Sequence, residues 1–318
     1  MVCCCWQPRR IFSCTRCMPL INSNPDCLIC GGETTKASLH VPYCYWRCCS
    51  CGSSHLYPQP TLEELERFYE YFHLPTNAGG IFADFEDRTR ADFPAKAKLV
   101  LRLLDGERRS DLGNQRVLDI GCGKGYFVRE LSKCGIAVEG IDLSAGAVSE
   151  GRDRLGISGL RSGHVEDQDD WRERFDVVTS WATLEHIPSP TGFLNSVGRV
   201  LKPGGKFLFD TGLAGDFLDR YAPGLIQWYD PPQHLYVFSR VGLELLLRKS
   251  GFSVFSCDTN FERTMGRRFV KAVRNRFLAA TAGCLFRAAL GRWTYKRMRM
   301  ESKMPFGALI IMVAHRVS

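Results

Sequence analysis

A chain of 318 residues, 45% hydrophobic and 24% charged, has the length for one large or two smaller domains and ample material for a core. Its net charge of +8, from 42 basic and 34 acidic residues, is modest and concentrated in one stretch rather than spread over the chain. No apolar run approaches the roughly 20 residues that a membrane span needs. Cysteines and arginines stand where a secretion signal would carry its apolar centre, so a cytoplasmic location is expected.

Fifteen cysteines are unusual, and 11 of them fall within the first 51 residues. Such clustering without an export signal favours metal over disulfides. Residues 1–26 are mixed and aperiodic and are expected to form a poorly ordered leader. In residues 27–58, Cys27 and Cys30 are spaced C-x2-C, Cys48 and Cys51 repeat the spacing, and 17 residues separate the pairs. This is the pattern of a small zinc ribbon, in which four thiolates close a tetrahedral, structural site. Gly31 and Gly52 follow the second cysteine of each pair, where a knuckle needs a relieved backbone. Cys44 and Cys49 lie off the pattern and compete for the same metal. The segment holds only Lys36 and Arg47 as bases, which argues against a nucleic-acid-binding ribbon.

Residues 59–110 are expected to form a helical linker or cap. Thr61 with Glu64 three residues later reads as a capping box, opening a helix with Leu62, Leu65, Phe68, Tyr69 and Phe72 on its apolar face. Residues 73–94 are polar and glycine-bearing and read as a loop over the mouth of a site. Residues 95–106 read as a helix leading into a sheet.

The core, residues 111–262, opens with VLDIGCGKG at Val117 to Gly125. An apolar run ending in alternating glycines is a buried parallel strand turning into a helix, with backbone bared for a ligand. A G-x-G-x-x-G dinucleotide fingerprint begun at Gly121 needs glycine at position 126, where this chain has Tyr126, which counts against a Rossmann oxidoreductase. A second strand, IAVEGIDL, ends in Asp142, 21 residues after Gly121, where a carboxylate can accept from ribose hydroxyls.

VLDIGCGKG followed by GIDLS resembles the first two binding motifs of class I S-adenosylmethionine-dependent methyltransferases. The resemblance implies an α/β fold, a Rossmann-like seven-stranded sheet with helices on both faces. It implies that Asp119, Gly121, Cys122, Gly123 and Gly125 face the methionine part of S-adenosyl-L-methionine, with Asp142 and Leu143 at the ribose. GLRSGHVEDQDDW brings Val165 and Glu166 as candidates for the adenine, with His164 where similar enzymes commonly have an acid. FDVVTSWATLEHIPSP resembles the strand-four motif, so Trp181 and Ala182 are expected to wall the methionine side. Glu185 and His186 follow in a positioning role. The Lys202-Pro203-Gly204-Gly205 turn is a further signature of the family. The cysteine pairs followed by HLYPQPTLEELERFYEYF resemble the zinc-ribbon leader on one group of small bacterial methyltransferases.

WYDPPQHLYVF resembles the substrate-side loop of that group, and His234 is the candidate general base because imidazole titrates near neutrality. Ser239 is expected to start a helix with Val241, Leu245 and Leu246 towards the core. No metal-ligand cluster is expected at the carboxyl ends of the strands. Residues 263–303 carry 12 Lys or Arg against Glu301 alone, with apolar residues interleaved. They read as a basic amphipathic helical insertion, open to peripheral membrane contact, a lid role or a solvated face. Residues 304–318 supply the last core strand.

The expected function is methyl transfer from S-adenosyl-L-methionine to an O, N or C atom of a small molecule such as a sugar or quinone precursor, with structural Zn2+ in the ribbon and no nucleic-acid partner. Rival readings are an RNA or protein methyltransferase and a non-catalytic cofactor-binding module of the same fold. The residues leave the oligomeric state open.

Overall fold

The structure is a computed structural model that describes residues 24–40, 43–72, 81–105, 114–215, 219, 228–259 and 308–317. Residues 1–23 of the expected leader and all of the basic insertion lie outside the described residues. Among the described residues, no helix is long and apolar enough to cross a membrane.

Seven strands form the main sheet: β4 (Arg116–Ile120), β5 (Ala137–Asp142), β6 (Leu160–Ser162), β7 (Phe175–Trp181), β8 (Leu201–Leu213), β10 (Phe252–Thr259) and β11 (Ala308–Arg316). Their order is β10-β11-β8-β7-β4-β5-β6. Strands β4 to β8 pair in parallel, and β11 runs antiparallel between β8 and β10. This is the expected Rossmann-like sheet, closed at one edge by the C-terminal hairpin. The central strands are apolar on both faces because helices cover both: Val117, Leu118, Val177, Val178, Phe207 and Leu208 are all fully buried. From β4 the chain winds outward to β6, then crosses back to β7 on the other side of β4. That reversal opens a crevice at the carboxyl ends of β4 and β7, where open α/β sheets bind ligands.

The helices on the sheet are α3 (Tyr126–Ser132), α4 (Ala145–Ser149), α5 (Pro190–Val200) and α6 (Arg240–Lys249). Ser144, Ser189 and Ser239 cap α4, α5 and α6 by accepting from a backbone N–H two residues into each helix. A π-helical turn, Glu150–Arg154, continues α4. The wide turn brings Gly151 against the carbonyl of Lys124 with no space for a Cβ, so the helix packs directly on the glycine turn. In α6 the residues that reach the core are Leu243, Leu246 and Leu247, whereas Val241 is exposed and Leu245 only half-buried. The phase differs from expectation because buried Gly242 seats the helix against Ser53, turning position 241 outward.

Ahead of the core, α1 (Leu62–Phe72) begins with the expected capping box: Thr61 N donates to Glu64 Oε2 at 2.8 Å and Glu64 N to Thr61 Oγ1 at 3.2 Å. Leu65 is buried and Phe68 half-buried, but Leu62, in the first turn, is 67% exposed and not part of the apolar face. Residues 81–94, expected as loop, belong to α2 (Ile81–Asp105), which carries Pro94 in its interior. The glycines that suggested a loop, Gly79 and Gly80, precede Ile81, and the stretch from there to Asp105 lacks glycine, so it sustains a helix around the one N–H that Pro94 lacks.

A second sheet contains β1 (Thr34–His40), β2 (Tyr43–Cys48), β3 (Ser54–Tyr57) and β9 (Tyr236–Val237), in that order. The cysteine-bearing hairpin therefore shares its sheet with the segment that carries His234.

Because Gly151 has no room for a side chain, Gly151→Ala should lower the denaturant midpoint, costing about 2 kcal/mol with an unchanged m-value. Equilibrium urea unfolding checks this; an unaltered midpoint would show that the π turn can yield.

Candidate functional site

The turn after β4 adopts positive φ at each alternating glycine, 77° at Gly121, 53° at Gly123 and 78° at Gly125. The three are kept bare for different reasons. A Cβ on Gly121 would collide with Thr183, and one on Gly125 would come within 2.7 Å of Leu160, so both are needed for packing. A Cβ on Gly123 would meet nothing within 4 Å, so its face is open to a ligand. Cys122 between them is buried, and burial pushes its thiol well above the usual range, which makes it inert packing.

Asp142 lies at the tip of β5, beside this turn. Its Oδ2 accepts from Gly123 N at 2.8 Å and its Oδ1 from Ser144 N at 2.8 Å. A carboxylate has about four acceptor sites, so each oxygen keeps a lone pair for a vicinal diol such as ribose. Leu143 follows with its side chain 56% exposed, an apolar surface next to that diol position. Val165 is buried and Glu166 exposed; Arg199 gathers both of their backbone carbonyls, at 3.0 and 2.6 Å. His164 is exposed and uses its carbonyl to accept from Gln168.

Across the crevice, β7 ends in buried Trp181, whose indole N–H has no hydrogen-bond partner among the described residues. Ala182 adopts φ 49°, unusual for a residue with a Cβ, and donates its N–H to Asp210 Oδ1 at 2.7 Å. Lys96 of α2 completes this corner: it pairs with Asp210 Oδ2 at 2.6 Å and its ammonium lies 4.5 Å from the centre of the Trp181 ring. Both members of the ion pair are buried. Nothing in the sequence separated Lys96 from the other bases of α2, since only the fold carries it to the end of β8.

The strand ends also collect acid. Burial pushes the Asp119 carboxyl up to about 7, against the pull of the Thr179 hydroxyl, which donates to its Oδ1 at 2.7 Å. Asp119 is thus a buried buttress of the turn. Burial likewise pushes Glu185 up to about 7, its Oε2 accepting from Thr211 at 2.8 Å.

His234 meets His186 here, ring centres 4.8 Å apart. His234 Nδ1 lies 3.0 Å from the carbonyl of Trp228, and His186 Nδ1 lies 2.8 Å from the carbonyl of Gln233. A carbonyl can only accept, so the Trp228 contact favours the Nδ1–H tautomer of neutral His234, whereas the His186 ring meets two backbone partners, Gln233 and Ala182. Burial, reinforced by His234, holds His186 down to about 3, so it stays neutral. Glu185, His186 and His234 each offer a ligand atom within 4.8 Å of the others, a grouping that runs against the expectation of no metal-ligand cluster at the strand ends. The sequence hid it because Glu185 and His234 are 49 positions apart.

The four cysteines expected to hold metal also come together, with all four sulfurs within 4.8 Å of one another. Cys27 Sγ and Cys51 Sγ lie 3.7 Å apart, and Cys30 Sγ and Cys48 Sγ 3.3 Å apart. A tetrahedron with metal–sulfur bonds of about 2.3 Å has edges of about 3.8 Å, so the cluster is close to metal-binding size. Backbone N–H groups of Ile29, Ser50 and Cys51 point at the sulfurs, and Gly31 and Gly52 take φ of 77° and 76° at the knuckles. The hydrogen bond from Cys51 pulls the Cys27 thiol below its usual range, which favours the thiolate form that a metal needs. Cys44 is buried apart from the four, and Cys49 is exposed.

Residues 87–256, just over half of the chain, match the family described as "Methyltransferase domain". The ubiquinone biosynthesis O-methyltransferase of Nitrosococcus oceani is 37% identical over 119 residues, covering 35% of this chain and 49% of that protein. The enzyme of the same name from Xanthomonas oryzae pv. oryzae is 35% identical over 127 residues, covering 37% and 52%. The chain thus spans about half the length of the curated relatives it matches. Among solved structures, phosphoethanolamine N-methyltransferase 2 of Haemonchus contortus, in complex with S-adenosyl-L-methionine, is similar with a TM-score of 0.44. It is 20% identical and covers 64% of this chain and 49% of that one.

Folded Glu185 keeps its proton up to about pH 7, whereas the unfolded chain releases it near the ordinary 4.5. Its contribution to stability is therefore full below about pH 4.5 and lost as the pH rises through 7. Glu185→Gln abolishes that loss, so the variant should gain up to about 3 kcal/mol on its parent between pH 4.5 and 7.5. Urea unfolding of both proteins at the two pH values measures it, and a constant difference would refute the buried protonated carboxyl.

Proposed function

The chain belongs to the methyltransferase-domain family, and on that premise we propose that it transfers a methyl group from S-adenosylmethionine to an O, N or C atom of a small molecule. The observation that carries the reading is the carboxylate of Asp142 bracketed by the amides of Gly123 and Ser144, beside the one glycine of the turn with an open face. These residues fit the adenosyl group: Asp142 retains acceptor capacity for two ribose hydroxyls, Leu143 offers an apolar surface, and the unpartnered N–H of Trp181 suits a polar group of the methionine end. Val165 and Glu166 remain the residues proposed for the adenine.

A sulfonium cofactor brings its methyl group already activated, so the chain mainly has to bind, orient and manage one proton. His234 is proposed as the general base. With Nδ1 held at the Trp228 carbonyl, its Nε2 is the nitrogen proposed to take the proton of an acceptor hydroxyl or amine, and neutral His186 beside it adds no charge. The relatives are named for O-methylation in ubiquinone biosynthesis, so hydroxyls of quinone precursors come first among acceptors to assay. The four-cysteine cluster is proposed to hold structural Zn2+, consistent with a reducing compartment such as the cytoplasm.

A second reading rests on the grouping of Glu185, His186 and His234, whose two imidazoles and one carboxylate suit a transition-metal cation. In that case His234 would be a ligand rather than a base.

The test is transfer of labelled methyl from S-adenosylmethionine to a panel of phenols and catechols. His234→Ala should reduce turnover by about 100-fold or more without weakening cofactor binding. A bell-free pH profile in the variant, with transfer by the parent insensitive to a chelator that leaves the ribbon zinc in place, supports the base. Abolition of transfer by such a chelator with the zinc content of the ribbon unchanged, restored by Mn2+, would favour the cation. Cofactor binding without transfer to any acceptor would favour a non-catalytic module.

A further inference from the structure

The cysteine ribbon is tied to the acceptor side of the site. Leu56 N, in β3, donates to Leu235 O at 2.8 Å, and the same strand pairs His55 with Tyr236 and Ser54 with Val237 in β9. Tyr45, fully buried in β2, donates its hydroxyl to the carbonyl of His234 itself at 2.5 Å. Arg47 forms an ion pair with Asp219 at 2.7 Å and donates to the Tyr229 hydroxyl at 3.0 Å, and Ser54 Oγ lies 3.1 Å from the same hydroxyl. The knuckle takes part directly: Ser239, the cap of α6, donates its hydroxyl to the carbonyl of Cys51, and its N–H donates to Ser53 Oγ at 2.9 Å. All of these bonds run from the ribbon to residues 219–239, and none of them reaches the glycine turn or Asp142.

The opposite side of the same segment is held by the core. Leu235 N donates to Glu185 O at 2.8 Å, Ala214 N to Phe238 O at 2.6 Å, and the Tyr236 hydroxyl to Pro188 O at 3.0 Å. Residues 234–238 are thus a strip of backbone clamped between two bodies, with two-residue β9 as its only regular structure. So short a strand has no stability of its own and exists because its partner β3 is in place. The position of β3 in turn follows from the Cys48–Cys51 knuckle immediately before it, where Cys48 N donates to Ser53 O at 2.9 Å and closes the loop.

We infer that the four-cysteine ribbon is a positioning element for the His234 imidazole, with Tyr45 as its contact residue, so that metal held by the cysteines sets the acceptor side of the site and leaves the cofactor side unaffected. This rests on the reading of the cleft as a methyltransferase site. Metal binding fixes the knuckle and hence β3, β3 holds Leu235 and β9, and the Tyr45 hydroxyl fixes the carbonyl of His234. The contact between its Nδ1 and the Trp228 carbonyl then sets the orientation of the ring.

The experiment uses the full chain loaded with Zn2+, its Tyr45→Phe variant and a Cys30→Ala variant. Phenylalanine keeps the buried ring against Tyr229, whose ring centre is 4.9 Å away, and removes only the hydroxyl. Four quantities are read: zinc per chain, the ring nitrogen resonances of His186 and His234, amide hydrogen exchange at Leu235, and the affinity for S-adenosylhomocysteine by calorimetry. The expected result is one zinc in the parent and in Tyr45→Phe and none retained by Cys30→Ala after dialysis. The His234 ring should show the Nδ1–H tautomer in the parent and a shifted or exchange-broadened signal in both variants. Hydrogen exchange at Leu235 should quicken about tenfold or more in both. Affinity for S-adenosylhomocysteine should stay unchanged.

Unaltered His234 resonances in both variants would overturn the inference. So would loss of S-adenosylhomocysteine binding in Tyr45→Phe, which would make the ribbon a support for the whole fold. Failure of the parent itself to bind S-adenosylhomocysteine would instead overturn the methyltransferase reading, and is seen before any variant is made.

Discussion

The carboxylate of Asp142 joins the tips of two neighbouring strands by accepting from Gly123 after β4 and from Ser144 after β5. The Ile141 carbonyl, which accepts from Gly121 and Cys122, holds the start of the turn, and Asp142 fixes its middle at Gly123. The open face of Gly123 and the spare lone pairs of Asp142 thus lie side by side. The rest of the fold serves this arrangement. The π turn after α4 brings Gly151 onto the carbonyl of Lys124, Leu160 closes over Gly125, and buried Asp119 supports the strand end from beneath.

The electrostatics of the crevice point the same way. Asp119, Glu185 and Asp210 are all buried at the carboxyl ends of β4, β7 and β8, and among the described residues Lys96 forms an ion pair with Asp210. Two of these acids are held near 7 by loss of solvent. A protein accepts such a cost where a positive ligand returns the missing charge, because a nearby cation favours the ionised form of each acid. A sulfonium is such a ligand. Lys96 supplies part of the compensation and, through Asp210, pins the strained Ala182 turn against which the reacting end of the ligand would lie. The proposed acceptor end is assembled from different parts, with the ribbon on one side and the end of β7 on the other.

What was legible in the sequence was what local physics decides. Alternating glycines, an acid at the next strand end, the capping box at Thr61 and the paired knuckles each depend on a few adjacent residues, and the structure places them as expected. Features made by distant pairing were not legible. Two residues at Tyr236–Val237 become a strand only against β3, some 180 positions earlier, and Lys96 looks like any base on an amphipathic helix until β8 brings Asp210 to it. The grouping of Glu185 and His186 with His234 is of the same kind. Val241 and Leu62 were misplaced by periodicity alone, since the roll of a helix is set by what it packs on: Gly242 against Ser53 in one case, Leu65 in the core in the other.

The central claim is that Asp142 and the open face of Gly123 together receive an adenosyl group. Calorimetric titration of S-adenosylhomocysteine into the parent and into Asp142→Asn tests it most directly, since the amide keeps one carbonyl oxygen but loses the charge and half of the acceptor capacity. The account predicts binding to the parent and an affinity lower by about tenfold or more in the variant, the scale of one to two charge-assisted hydrogen bonds. Equal affinity in the two proteins would contradict it.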